Sequence, residues 1–155
     1  DLINVIKSKG VEVGFITLLV GLGTFKPVRS KLISDHQMHE EYFSVSEKTV
    51  DLIKRTRARG GRVVAGGTTT LRAQESISDG DRINAFEGNT AIFIFPGYKF
   101  KVVDVLVTNF HLPKSTLMML VSAFAGLESI RKAYRVAIEK SYRFFSYGDA
   151  NLILL

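Results

Sequence analysis

The sequence contains no cysteine among its 155 residues. That removes disulfides, thiolate metal sites and a cysteine nucleophile, and it fits a reducing, cytoplasmic setting. Long apolar runs are missing as well. The longest, residues 117–127, is interrupted by Ser122 and Gly126 and falls short of the ~20 apolar residues that span a bilayer, so no membrane partner is expected. The opening DLINVIKSKG has neither the basic start nor the apolar stretch of a secretory leader. It reads as the last turns of a helix stopped at Gly10, as though the chain begins partway through a longer one. No internal repeat, low-complexity tract or linker breaks the sequence, which predicts one domain or a large piece of one.

What is present is ordinary globular material with a basic bias. Hydrophobic residues make up 46% and charged residues 23%, with a net charge of +6. This is enough apolar matter for one core, and the charge admits an anionic partner without requiring one. Apolar, β-branched runs at residues 11–20, 62–65, 90–95 and 101–108 predict strands. Helices are expected over residues 47–58, capped by Ser44 or Ser46, through TTTLRAQES, and from a start near Pro113 through STLMMLVSAFAG into LESIRKAYRVAIEKS. The alternation indicates an α/β fold, with a mixed sheet or barrel-like core and flanking helices.

Five segments could carry chemistry. GLGTF after the first strand offers Gly21 and Gly23 for close backbone approach to a ligand. It lacks the third glycine of a dinucleotide fingerprint, and an ordinary tight turn is the better account of it. GGTTT leads from a strand into a helix and sets Thr68, Thr69, Thr70 and Arg72 about a helix N-terminus. That pattern suits a phosphate, a carboxylate or ribose hydroxyls, and a simple threonine cap accounts for only one of the three hydroxyls. DHQMHEE places His36 and His39 three apart between carboxylates. The spacing is not that of the usual zinc helix, so no metal is expected; proton transfer, substrate contact or a solvated loop remain. TNFHLP carries Asn109 and His111 off a strand end, where ligands gather in open α/β sheets. Asp104, within the preceding apolar run, needs a partner if buried. YRFFSYGDA interleaves aromatics with Arg143, which could stack on RNA bases but more often fills a core.

The series VGLGTFKPV, DHQMHEEYF, GGTTTLRAQES, IFIFPGYKFKVVDVLVTNFHLPKSTLMMLVSAFAG and YRFFSYGDA closely resembles the S-adenosylmethionine:tRNA ribosyltransferase-isomerase family from Gly10 onward. The resemblance implies that residues 1–155 are the C-terminal portion of a longer main domain whose N-terminal part is absent. It also implies the reaction: the ribosyl group of S-adenosylmethionine, consumed as co-substrate, moves onto an aminomethyl-deazaguanine in a tRNA anticodon loop, giving epoxyqueuosine. By motif position, His39, His111 and Asp104 are candidates for proton transfer. Gly21, Gly23, Thr68, Thr69, Thr70, Arg72 and Asn109 are candidates for holding the co-substrate. Leu19 stands where the family usually carries histidine, Gly66 where it has valine and Asn151 where it has methionine. Two other classes fit the residues: a non-catalytic RNA-binding piece, and an α/β enzyme that cradles a free nucleotide.

Overall fold

The computed structural model describes residues 1–21, 33, 36–80 and 82–155. Gly23 and most of GLGTF lie outside them. Helix α1 (Leu2–Ser8) is capped by Asp1 and buries none of its residues. β1 (Thr17–Leu18), β2 (Glu41–Val45) and β6 (Phe86–Thr90) form an antiparallel sheet in the order β1-β2-β6. α2 (Glu47–Ala58) follows β2, with Ser46 as its N-cap. β3 (Val64–Gly66) runs into α3 (Thr68–Ser76). A small hairpin of β4 (Ser78–Asp79) and β5 (Arg82–Ile83) comes next. β7 (Val105–Asn109) pairs parallel with β3 and antiparallel with β8 (Ala150–Leu154), so this second sheet is mixed. α4 (Thr116–Ala125) and α5 (Leu127–Glu139) fill the stretch between β7 and β8 and are separated at Gly126, whose φ of 84° suits glycine. The sheets among the described residues are open, and the one built on β7 is the mixed sheet that the alternation predicted.

One core cluster joins the elements: Phe43 and Val45 of β2, Val50 and Ile53 of α2, Leu71 of α3, Leu106 of β7, and Leu120 and Phe124 of α4 are all buried. The mixed sheet turns Ala65, Leu106 and Ile153 toward this core. Its other face carries Val64 (51% exposed), Val107 (37%), Leu152 (68%) and Leu154 (58%), which is a large apolar surface to leave in water.

Three predicted strands differ from the observed ones, each for a local reason. Of residues 11–20, only Thr17–Leu18 joins a ladder. Residues 11–16 run along α2 instead, with Thr49 Oγ1 donating to the Phe15 carbonyl at 3.0 Å and Glu12 paired with Arg55 and Arg59. The strand expected at residues 90–95 sits earlier, at Phe86–Thr90. There the polar FEGNT matches β2 through Tyr42–Glu87 and Asn89–Glu40 side-chain hydrogen bonds, while Thr90 Oγ1 accepts the Ile92 N–H at 3.1 Å. The strand expected to start at Lys101 starts at Val105 because the buried carboxylate of Glu75 takes the preceding N–H groups. It accepts from Lys101 at 2.9 Å, Val102 at 3.0 Å and Val103 at 3.0 Å, and also from the Tyr98 hydroxyl at 3.1 Å. The helix expected near Pro113 begins three residues on, at Thr116, because Ser115 is the cap and accepts from Met118 N at 3.1 Å.

Candidate functional site

Because β3 and β7 are parallel, their C-terminal ends meet at one edge of the sheet, where ligands collect in α/β folds. A cavity of about 440 Å³ lies there. Its walls are Gly67, Thr68, Thr69 and Arg72 of the α3 entry, Thr108 to Leu112 of the β7 exit, Ser115 and Leu117 at the start of α4, Phe145 and Ser146, and Val20. GGTTTLR and TNFHLP, about forty residues apart in the chain, thus share one site.

The α3 entry depends on Gly67. Its φ of +96° belongs to glycine, its N–H donates to Val107 O at 2.8 Å, and it has no side chain to cap the first turn. The opening N–H groups of α3 and the positive end of its dipole therefore face outward without an internal cap. Thr68 and Thr69 line the cavity; Thr70 does not, since its hydroxyl donates to Gly66 O at 2.8 Å. Gly66 itself has open space where a Cβ would stand.

Arg72 is the buried cation of the site. Its Nη1 donates to the Glu41 carboxylate, and the two side chains are only 4% and 1% exposed. Glu41 also accepts from Gly21 N at 3.0 Å, so the start of GLGTF, the end of DHQMHEE and the first turn of α3 are tied together. Motif reasoning passed over Glu41, although the alternation of β2 places it on the buried face with Phe43 and Val45. A carboxylate on that face requires a cation or several donors.

His111 follows β7. Its Nε2 lies 3.1 Å from Thr108 Oγ1, and its backbone N–H donates to the Tyr134 hydroxyl at 2.7 Å. Burial pushes its pKa down to about 4, so the ring is neutral near pH 7 and offers one unprotonated nitrogen. Burial likewise raises Tyr134, keeping it a phenol. Asn109 lines the cavity and its amide donates to Gly148 O at 3.5 Å.

The YRFFSYGDA segment divides its aromatics. Phe144 packs against Phe110, centroids 4.8 Å apart, and near Tyr134, as a core residue would. Phe145, held at φ 68°, turns instead to the cavity, and Tyr147 just beyond is 97% exposed.

Two of the three candidates for proton transfer are not brought to the cavity. Asp104 precedes β7, so it is separated from Asn109 by the strand's length, roughly 16 Å. Its Oδ2 accepts from Val63 N at 2.7 Å, which ties the start of β3 to that of β7 and gives this half-buried carboxylate its partner. His39 is exposed two residues ahead of β2 and does not line the cavity. Among the described residues no group of three or more His, Cys, Asp or Glu could hold a metal ion, and no helix is long and apolar enough to cross a membrane.

The fold is α/β, with a cavity at the C-terminal ends of its parallel strands. Residues 1–153 match the model of the queuosine biosynthesis protein family, and the chain belongs to that family. It is 54% identical over 155 residues to the S-adenosylmethionine:tRNA ribosyltransferase-isomerase of Thermoanaerobacter sp. (strain X514), covering 99% of this chain and 46% of that protein. The crystal structure of the S-adenosylmethionine tRNA ribosyltransferase from Thermotoga maritima superposes with a TM-score of 0.82 at 46% identity, over 99% of this chain and 48% of that one. The chain therefore spans just under half the length of these relatives.

Proposed function

We propose that the chain carries the S-adenosylmethionine-binding part of a tRNA ribosyltransferase-isomerase acting in queuosine biosynthesis. The observation that carries this reading is the convergence of the uncapped α3 entry, buried Arg72 and neutral His111 on one cavity of about 440 Å³. That volume suits a nucleoside-sized ligand.

In the proposed reaction the ribosyl group of S-adenosylmethionine passes to the aminomethyl nitrogen of a deazaguanine in the tRNA anticodon loop, and methionine and adenine leave. The sulfonium acidifies the adjoining ribose carbon, so a base is required that is unprotonated at neutral pH. His111 takes that role, with Thr108 orienting its ring. Thr68, Thr69, Arg72 and Asn109 hold the co-substrate, Gly21 acts through Glu41, and Thr70 shapes the helix entry. Asp104 and His39 receive no part, since neither lines the cavity. The tRNA approaches the cavity mouth, where Phe145 and Tyr147 offer faces for an unstacked base, and the net charge of +6 favours its phosphates.

The test has two arms. Calorimetric titration of the chain with S-adenosylmethionine should give saturable binding that is lost in Arg72→Ala. Adenine release with tRNA bearing the deazaguanine precursor should require the chain to be joined to the N-terminal remainder of its Thermoanaerobacter relative. Rapid release by the 155 residues alone would show the whole site to lie within them, and no binding of any adenosyl compound would overturn the reading.

A further inference from the structure

Arg72 is more exactingly placed than an ion pair with Glu41 requires. Its Nη1 meets Glu41, while Nε and Nη2, equally buried, have no acceptor among the described residues. Those two nitrogens are the side edge of the guanidinium. Their N–H bonds run parallel and match the two oxygens of one carboxylate. A buried cation with more than half of its N–H donors unpaired is costly unless something supplies the missing acceptors. Glu41 does not do so, because it approaches the other end of the guanidinium.

A second feature points to the same group. Arg72 lines the cavity one turn into α3, below the helix entry that Gly67 leaves without a side-chain cap. The entry attracts negative charge and the guanidinium edge gives it a two-pronged seat. Val20, Phe110, Leu112, Leu117 and Phe145 give the cavity apolar wall beside the polar side chains of the β7 exit. Such walls, around about 440 Å³, fit a small molecule with one anionic end better than a polynucleotide backbone, which stays in water.

We propose that the Nε/Nη2 edge of Arg72 and the α3 entry form an oxyanion subsite whose occupant is the carboxylate of the methionine part of S-adenosylmethionine. The assignment rests on the function proposed above and deepens it. Glu41 is a positioning residue that turns Arg72 so that its side edge is the one left for ligand. Anchored there, the methionine end fixes the sulfonium, and the adjoining ribose reaches toward His111.

The experiment compares S-adenosylmethionine with its decarboxylated analogue, which has hydrogen in place of the carboxylate, by calorimetry on the 155-residue chain. S-adenosylmethionine should bind roughly 10–100-fold more tightly, the worth of one or two hydrogen bonds to a charged group. Arg72→Lys keeps the charge and removes the fork; it should shrink the gap to about threefold or less while leaving the analogue's affinity nearly unchanged. The ligand comparison needs no variant, so it decides the matter even if Arg72→Lys does not fold. Equal affinity for the two compounds would overturn the subsite and leave the co-substrate site standing. Binding of neither compound, nor of methylthioadenosine, would overturn both. Inorganic phosphate competing with S-adenosylmethionine without a gap between the two compounds would reassign the seat to a phosphoryl group and refute the carboxylate.

Discussion

Replacing Glu75 should damage the fold more than any other single carboxylate change, because one side chain ends four donors. Its Oε1 accepts from the buried N–H groups of Val102 and Val103, each at 3.0 Å, and its Oε2 from Lys101 N at 2.9 Å and the Tyr98 hydroxyl at 3.1 Å. Glu75→Ala leaves the two buried N–H groups with no acceptor, at ~1–3 kcal/mol each, and frees two less buried donors to find water. The expected loss is about 4 kcal/mol, a large share of the ~5–15 kcal/mol typical of a domain. Glu75→Gln keeps one oxygen but turns an NH₂ toward the other two donors, so it should lose about half as much. Tyr98→Phe removes only the hydroxyl and should lose about 1 kcal/mol. In a chain of this size each kcal/mol lowers the melting temperature by ~2–4 °C, so calorimetry should place the variants in the order Tyr98→Phe, Glu75→Gln, Glu75→Ala, the last about 8–16 °C below the parent. If Glu75→Ala melts no lower than Tyr98→Phe, the carboxylate does not hold residues 98–103, and the explanation for the late start of β7 fails with it.

Stability should also depend on pH through His111. Its folded pKa of about 4 lies below the usual 6.5, so the folded state disfavours the proton. The contribution is intact above pH ~6.5, falls away as pH drops toward 4, and at about 1.4 kcal/mol per pH unit amounts to at most ~3 kcal/mol. Urea unfolding of His111→Gln should be flatter over that window, and an unchanged slope would refute the assignment. Gly67→Ala should cost about 1–2 kcal/mol through its φ of +96°, whereas Gly66→Ala, whose Cβ meets open space, should stay within ~0.5 kcal/mol; thermal melts that rank them the other way would remove the basis for an open α3 entry. On the outer sheet face, Leu152→Lys with Leu154→Lys should reduce self-association of the chain in analytical ultracentrifugation without lowering its melting temperature, and a large drop in melting would mean that the face is not exposed. Tyr147→Ala should leave the melt unchanged and weaken tRNA binding by ~1–3 kcal/mol, the value of one base stack; unchanged tRNA affinity would remove Tyr147 from the interface.

How much of this was legible in the sequence depends on whether a residue's partner is local. Ser46 capping α2 through Thr49 N, and glycine at 67 between strand and helix, are settled within a few residues, and the motif reading located both elements. The strand limits failed where a distant side chain took backbone donors. Nothing near Lys101 announces that Glu75 will claim its N–H, and nothing in the polar FEGNT shows that Tyr42 and Glu40 will complete its ladder. The same rule divides the candidate site. GGTTTLR and TNFHLP were readable because a strand end followed by a helix entry is itself a local pattern, and parallel pairing then brings two such ends together. Asp104, half-buried, and Glu41, fully buried, were harder because each is a carboxylate whose meaning lies in its partner. Asp104 drew attention as an acid in an apolar run, yet its acceptor is spent on Val63 N. Glu41 drew none, although its place on the buried face of β2 required a cation or a set of donors. The residue that links GLGTF to GGTTTLR was therefore visible as an obligation in β2, and only the fold could name Arg72 as what meets it.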